Sequence, residues 1–267
     1  MVSLNSMADV NVVVWGRGEP VVFVHGSGPA WGEKTFARQR PLAEEYRLLL
    51  VDRRGFGDSP PTERVDFNVD AADIASLLGK GAHLVGHSFG GVVSLLAAGR
   101  RPDAVKSLTV IEPPAFGIAR GDVAVENFVR RLTAVYETAR SESPEEFWTN
   151  FLRAFGFEEP PTFHLTEKGV KGIRSTMTRI PPWDAEIPLD TLAATHFPKL
   201  VISGGWNNVP VSAKEIAGEA LKAVCDVLQD RLRAERFVFE NAAHNPQFLG
   251  KLFNERLKTF FRSTRSE

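Results

Sequence analysis

The most constraining feature of the sequence is the segment from residue 82 to 91, which reads Ala-His-Leu-Val-Gly-His-Ser-Phe-Gly-Gly. A short apolar run brings Ser88 between Gly86 and Gly90 in the pattern G-x-S-x-G, and an alanine-rich helical pattern follows. This context predicts a tight strand-to-helix turn, where side chains at the two flanking positions would collide and glycine relieves the crowding. Such a turn exposes a hydroxyl that a base can activate as a nucleophile. A structural glycine-rich turn is the alternative.

The composition is that of a globular protein with one sizeable core, or one core and a small accessory domain. The chain has 267 residues, 43 % of them hydrophobic and 24 % charged. A formal net charge of −1 gives no electrostatic footprint for nucleic acid or an anionic membrane, so we expect neither as a partner. The single cysteine, Cys225, excludes an internal disulfide. The first nine residues lack a targeting pattern, and no run approaches the roughly 18 apolar residues of a membrane span, which predicts a cytoplasmic protein.

Strand-like and helical patterns alternate along most of the chain. Apolar, often β-branched runs predict strands at Val10–Trp15, Val21–Val24, Arg47–Val51, His83–Gly86, Ser107–Ile111, Leu200–Ile202 and Phe237–Phe239. Helical patterns lie at Lys34–Glu45, Asp70–Leu78, Gly90–Gly99, Ser212–Arg233 and Phe248–Phe261. This alternation predicts an α/β fold, in which a mostly parallel sheet has helices on both faces.

One stretch, between the strands that end at Ile111 and begin near Leu200, breaks this rhythm. It has no convincing strand and predicts helices at Asp122–Arg140, from Ser143 onward and at Glu167–Arg179. Ser143 opens a capping box, with proline at the first helical position. We therefore expect a helical cap, or lid, over the site. The predicted division is a core domain, residues 1–112 and 198–267, and a cap, residues 113–197.

A serine nucleophile needs a base and backbone donors for the oxyanion. His244 follows the last predicted strand on a loop that can approach neighbouring strand ends, and it is our candidate base. The turn at residues 25–29, His-Gly-Ser-Gly-Pro, makes the N–H groups of Ser27 and Phe89 candidates for the oxyanion hole. An ordinary β-turn and a surface histidine are the alternatives at these two places. Weaker candidate bases are His25, His83, His87, His164 and His196.

Together, these motifs resemble the α/β-hydrolase superfamily. They are HGSGP after a strand, the segment DRRGFGDS at residues 52–59, GHSFGG at residues 86–91 and the late His244. The resemblance covers residues 10–111 and 198–262. It implies an eight-stranded, mostly parallel sheet flanked by helices, with a helical cap inserted after the sixth strand. It also implies a Ser–acid–His triad that works without a cofactor or a metal.

The acid of this triad is where the sequence departs from the family pattern. The resemblance places an acid after the seventh strand, but Asn207 stands at that position. An amide carries no charge to stabilise an imidazolium, and it can favour the wrong tautomer. We predict Glu112 instead, because it ends the strand after Ser88, a position that some α/β-hydrolases, including haloalkane dehalogenases, use. A solvated or cap-anchoring glutamate is the alternative, and weaker candidates are Glu240, Asp184 and Glu186.

The leading interpretation is a serine hydrolase that cleaves a carboxylic ester or a lactone of small, apolar character through an acyl-enzyme on Ser88. The residues predicted to line its substrate pocket are His25, Gly26, Trp31, His87, Trp148, Trp183 and Trp206. Cap aromatics at helical spacing, among them Phe147 and Phe151, can equally form a packing stripe. The sequence carries no signal for the oligomeric state.

Two other functions stay open at this point. HGSGP also resembles the oxyanion loop of carbon–carbon-bond hydrolases that cleave ring-fission products, although that group usually keeps the acid missing at Asn207. Lyases and cofactor-free oxygenases share the same fold. A non-catalytic, receptor-like binding protein on an α/β-hydrolase scaffold would also account for Asn207. Labelling of Ser88 by a fluorophosphonate probe separates an enzyme from a binder.

Overall fold

The computed structural model describes residues 9–161 and 164–263. The N-terminal segment 1–8, which the prediction of a cytoplasmic protein uses, lies outside the described residues, and that location stays a prediction. None of the helices in the described ranges combines the length and the apolar character that crossing a bilayer requires.

A single sheet of seven strands forms the centre of the fold. Its strands are β1 Val12–Trp15, β2 Glu19–Val24, β3 Tyr46–Val51, β4 Ala82–His87, β5 Val105–Ile111, β6 Lys199–Gly204 and β7 Glu235–Phe239. The spatial order is β1-β3-β2-β4-β5-β6-β7. β1 pairs antiparallel with β3, and the other pairs are parallel. The predicted α/β class and mostly parallel sheet are confirmed.

The strand count differs from what the family resemblance implies. Seven strands occur in the described chain, where the resemblance implies eight. Residues 9–11 are the described residues that precede β1, and they form no strand. The helical insertion consequently follows the fifth strand of this sheet, not the sixth.

Both faces of the sheet are covered, because its central strands are apolar on both sides. In β2, Val22 and Val24 join one hydrophobic cluster, whereas Val21 and Phe23 join the cluster on the opposite face. The helices of the described chain are α1 Gly32–Thr35, α2 Phe67–Leu77, α3 Phe89–Arg100, α4 Val123–Thr138, α5 Pro144–Ala154, α6 Glu167–Met177, α7 Leu189–Ala193, α8 Val211–Ala213, α9 Glu219–Leu232 and α10 Lys251–Ser263.

Two predicted helices are less regular than the sequence pattern suggested. The pattern at Lys34–Glu45 resolves into α1 and a 3₁₀ helix, Ala37–Glu44, which contains Pro41. Proline inside a helix removes a backbone donor and crowds the preceding turn, so an α-helix does not continue through it. The pattern at Ser212–Arg233 is divided into α8 and α9 by a π-helical segment, Lys214–Gly218.

The stretch between β5 and β6 contains α4 to α7, and its described residues hold no strand. The capping box that was predicted at Ser143 is present: its side chain accepts from the Glu146 N–H, and Glu146 in turn caps the Ser143 N–H. One hydrophobic cluster runs from the sheet into α4 and α5 through Phe128 and Phe147. The division into a core and a cap stays a prediction.

Candidate active site

Ser88 occupies the turn between β4 and α3 in a strained conformation, with φ 53° and ψ −127°. Positive φ is unusual for a residue with a side chain, and it points to a functional constraint. A Cβ atom on Gly86 would lie 2.3 Å from Ser94 Oγ, and one on Gly90 would lie 2.2 Å from the Val24 carbonyl oxygen. Both positions therefore require glycine, for the steric reason that the sequence suggested.

A histidine and a carboxylate line up behind this serine. His244 lies on the loop after β7, and its Nε2 is 2.9 Å from Ser88 Oγ. Its Nδ1 is 2.8 Å from Glu112 Oε2, which stands directly after β5. A carboxylate only accepts hydrogen bonds, so Nδ1–H donates to Glu112 and Nε2 accepts from the Ser88 hydroxyl. The fold thus brings together Ser88, His244 and Glu112 from three separate parts of the chain.

Glu112 is almost completely buried, with 1 % of its surface exposed. Its Oε1 accepts two hydrogen bonds of 2.9 Å each, from the Gly204 N–H and from the Trp206 indole N–H. The other oxygen accepts from His244. A buried carboxylate is costly unless donors surround it. These three donors hold both oxygens of Glu112 in place and orient Oε2 toward His244.

Asn207 is exposed and faces away from this arrangement. Its amide nitrogen donates to the carbonyl oxygen of Glu240 at 3.1 Å and to Glu240 Oε2 at 3.0 Å. Its Oδ1 accepts from Lys214 Nζ at 2.8 Å. The β6 loop therefore contacts the acid through Gly204 and Trp206, while Asn207 ties that loop to the surface. Sequence reasoning placed Trp206 in the pocket wall and missed its bond to Glu112.

His87, the residue before the serine, holds the main chain of the histidine loop. Its Nε2–H donates to the carbonyl oxygen of His244 at 2.8 Å. Burial, and next the nearby charge of His244, lower the pKa of His87 to about 3. His87 is therefore neutral near pH 7 and serves as a hydrogen-bond donor to the loop. No sequence signal distinguished this role from that of a pocket residue.

The loop at residues 25–29 packs directly against the serine turn. A Cβ atom on Gly26 would lie 2.8 Å from Ser88 Cβ, and Gly28, at φ +85°, donates its N–H to Thr176 Oγ1 at 2.8 Å. Phe89 begins α3, so its N–H has no carbonyl partner one turn earlier in the helix. Ser27 and Ser88 line the same cavity, and the assignment of the Ser27 and Phe89 N–H groups to an oxyanion hole stays a prediction.

A cavity of about 430 Å³ opens over Ser88 and His244. Its wall is mainly apolar, and its aromatic members include Phe116, Phe128, Trp148, Phe151, Phe155 and Trp206. Lys34 and Arg179 also line it, and no aspartate or glutamate occurs among its described lining residues. Within residues 9–161 and 164–263, no group of three or more His, Cys, Asp or Glu side chains is arranged to hold a metal ion.

Four of the predicted pocket residues line this cavity: Gly26, His87, Trp148 and Trp206. The other three are absent from its described lining. His25 is fully buried, donates from Nδ1 to the Gly26 carbonyl oxygen and accepts the Arg53 backbone N–H. Trp183 packs behind the wall on Phe116, and Trp31 lies under Lys34 Nζ at the start of α1.

Comparison with known proteins gives a consistent picture. A family model described as "Alpha/beta hydrolase family" matches residues 21–255. The chain is 40 % identical over 113 residues to a pimeloyl-[acyl-carrier protein] methyl ester esterase from Aeromonas salmonicida, a match that covers 40 % of this chain and 43 % of that protein. It is 32 % identical over 142 residues to the probable lysophospholipase BODYGUARD 1 from Arabidopsis thaliana, with 49 % and 28 % covered. The chain thus spans less than half the length of these curated relatives.

Solved structures extend the similarity to nearly the whole chain. A thermophilic esterase from Thermogutta terrifontis superposes with a TM-score of 0.64 at 21 % identity, which covers 96 % of this chain and 93 % of that one. At this level of identity the superposition establishes the fold.

Proposed function

Because the chain belongs to the α/β-hydrolase family, we propose that it is a serine hydrolase that cleaves a carboxylic ester or a lactone through an acyl-enzyme on Ser88. The observation that carries the proposal is the continuous hydrogen-bonded chain from Ser88 Oγ through His244 to the buried carboxylate of Glu112. Two relatives, named as an esterase and a probable lysophospholipase, support ester chemistry.

The proposed mechanism gives each member of this chain a role. His244 Nε2 takes the hydroxyl proton as Ser88 Oγ attacks the ester carbonyl, and the same nitrogen then protonates the leaving alcohol. Glu112 fixes the tautomer and stabilises the imidazolium that forms. The N–H groups of Ser27 and Phe89 donate to the carbonyl oxygen as its negative charge develops. Water, deprotonated by His244, then releases the acid and restores Ser88.

The pocket supports a substrate with a sizeable apolar part. Aromatic side chains from α4 and α5, among them Phe128, Trp148 and Phe151, form much of the wall over the serine. We propose that the segment from α4 to α7 acts as a cap that selects the substrate. Its aromatic residues would bury the apolar chain of the substrate beside Ser88.

The test combines active-site labelling with turnover. A fluorophosphonate probe is expected to label one serine, Ser88, and to fail with Ser88→Ala. The same variant should lower kcat for p-nitrophenyl esters by a factor on the order of 10⁶. Ser76→Ala, on α2, is the matched control and should behave as the unmodified protein. A folded protein that is not labelled, or a Ser88→Ala variant that keeps its esterase activity, would refute the proposal.

A further inference from the structure

Two arginine side chains are deeply buried beside the candidate active site, and only one has a carboxylate partner. Arg53 donates to Asp70 Oδ2 at 2.7 Å and to the carbonyl oxygens of His25 and Gly26 at 3.0 and 2.7 Å. Arg179 is 7 % exposed and lines the cavity over Ser88. In residues 9–161 and 164–263, no carboxylate lies within ion-pair distance of Arg179. Arg53 is thus compensated internally, and Arg179 is not.

The surroundings of Arg179 hold the guanidinium without neutralising it. One terminal N–H group donates to Ser27 Oγ, and the guanidinium carbon lies 5.4, 5.0 and 5.6 Å from the ring centres of Phe89, Tyr136 and Phe151. Its buried Nε–H has no hydrogen-bond partner in the part of the chain that the structure describes. The Tyr136 hydroxyl also interacts with the guanidinium but brings no negative charge, because burial raises the pKa of Tyr136 to about 12. Burial lowers the pKa of Arg179, but an arginine side chain stays protonated in proteins.

A buried charge is expensive unless an opposite charge and hydrogen bonds compensate it. Aromatic faces offset only part of this cost. The described cavity wall contains two cationic side chains, Lys34 and Arg179, and no acidic one. The cavity therefore presents an uncompensated positive charge, and the group that would neutralise it has to enter with a ligand.

We infer that Arg179 binds a carboxylate on the substrate, so that the ester cleaved at Ser88 is a half-ester that carries a second, free acid group. The inference rests on the proposed ester hydrolysis and names the substrate class of the same site. A single carboxylate matches one guanidinium in charge and in its paired donors. A dianionic phosphate would need a second cation beside Arg179, and Lys34, the other cation of the described lining, lies exposed and donates to the Pro29 carbonyl oxygen.

The position of Arg179 also limits the length of the substrate. Its guanidinium contacts Ser27 and Phe89, the two residues proposed to hold the oxyanion. The free carboxylate must therefore lie only a short spacer away from the reacting carbonyl. Aliphatic half-esters of dicarboxylic acids fit this requirement, because their methylene spacers lie against the aromatic wall while both ends reach polar groups.

The experiment compares methyl hydrogen adipate with dimethyl adipate, which differ in one charge at nearly equal size. The measured quantity is the ratio of the two kcat/KM values, followed along a series of spacers from glutarate to suberate. We expect the wild-type ratio to exceed one for at least one spacer. Arg179→Met should lower that ratio by about 100-fold, and Arg179→Lys should restore part of it.

Lys34→Met is the matched cationic control, because Lys34 lines the same cavity but lies exposed at its edge. It should change the ratio by less than about fivefold. Arg231→Met, on the far end of α9, should leave both rates unchanged. A second readout needs no turnover: adipate should raise the Tm of the Ser88→Ala variant more than hexanamide does.

The outcomes separate the inference from the proposed function. If Ser88-dependent hydrolysis is present but the wild-type protein prefers the neutral ester at every spacer, the inference fails alone. It also fails if Arg179→Met slows both esters by the same factor, because Arg179 then serves only to hold Ser27. If Ser88→Ala hydrolyses both esters as well as the wild type does, the proposed function itself fails.

Discussion

The ends of β5 and β6 lie side by side in the sheet, yet the first carries a carboxylate that bonds to His244 and the second is followed by an amide bonded elsewhere. At the end of β5, Glu112 is 1 % exposed and directs Oε2 to the imidazole. At the end of β6, Asn207 is exposed and bonds to Glu240 and Lys214. One strand end supplies charge to the site, and the other ends in a surface contact.

This difference shows that the carboxylate that His244 needs is not tied to one strand of the fold. An imidazolium needs a buried carboxylate at Nδ1, and two neighbouring strand ends of a parallel sheet can provide it. In this chain the end of β6 supports the acid of β5 instead of supplying one. Gly204 and Trp206 each donate a hydrogen bond to Glu112 Oε1, and a buried carboxylate needs such donors to stay charged.

The largest effect is expected from Glu112→Gln, which tests whether the end of β5 supplies the acid. The change keeps the shape of the side chain but removes the charge, and its amide can donate to Nδ1 and invert the tautomer. We expect kcat on an activated ester to fall by about 10⁴, the factor measured for the equivalent exchange in a serine protease. Steady-state kinetics and fluorophosphonate labelling rates measure the effect.

Glu240→Gln is the matched control for this change. Glu240 accepts from Asn207 and lies on the surface loop after β7, so its loss should alter kcat by less than about threefold. Near-normal activity in Glu112→Gln would remove Glu112 from the site and return the question to the β6 loop.

Trp206→Phe tests the support that the loop after β6 gives to the acid after β5, because it removes the indole N–H that donates to Glu112 Oε1. The phenyl ring keeps most of the packing but leaves Glu112 Oε1 with the Gly204 N–H alone. A hydrogen bond to a buried charge contributes about 1.5–3 kcal/mol, so kcat should fall roughly 10- to 100-fold. Trp148→Phe is the control: Trp148 lines the cavity, and its buried indole nitrogen has no partner in the described chain. It should change KM more than kcat.

A third strand end, that of β4, adds a different kind of support to the same loop. Glu112 holds the imidazole of His244, whereas His87 holds its carbonyl oxygen. The pKa of His87 is about 3 in the folded protein, below the ordinary value of 6.5. Between pH 6.5 and about pH 3, His87 is protonated in the unfolded chain but stays neutral in the folded protein. The contribution of His87 to stability is therefore complete above about pH 6.5 and is lost as the pH falls toward 3.

His87→Gln should flatten this dependence, since glutamine can donate to the same carbonyl oxygen but does not titrate. Between pH 7 and 5, the free energy of unfolding of the wild type should fall by about 2 kcal/mol more than that of the variant. Urea unfolding at a series of pH values measures the difference, and His196→Gln, an exposed site, should match the wild type. Equal slopes for His87→Gln and wild type would show that His87 titrates normally.

The sequence could predict those parts of the site that depend on residues close together along the chain. The Ser88 turn was predictable because part of its constraint is local: a Cβ atom on Gly86 would meet Ser94 and Gly90 in the helix that follows. The clash that requires Gly90 comes instead from Val24, on β2. Glu112 was predictable as a candidate because a charged residue directly after a buried parallel strand emerges at the edge where the serine lies. Periodicity and turn chemistry carry this kind of information.

The contacts that complete the site have no local signature. The bond from Trp206 to Glu112 joins residues 94 apart, and the bond from Arg179 to Ser27 joins residues 152 apart. Trp183 shows the same limit in reverse, because an aromatic residue in the predicted cap packs behind the cavity wall as readily as into it. Apolar patterning determines which residues are buried, but not which buried groups face one another.

The smallest expected effect belongs to Asn207→Asp, which restores the acid that the family resemblance places after β6. A carboxylate there loses the hydrogen bond to Glu240 and is repelled by it, but it should pair with Lys214 at the surface and change kcat by less than about threefold. The decisive measurement is the double variant with Glu112→Gln. Two sites without shared partners contribute independently, so the double variant should stay within about twofold of Glu112→Gln alone. Recovery of activity would mean that the β6 loop can turn its acid toward His244, and that the choice between the two strand ends is one of sequence, not of geometry.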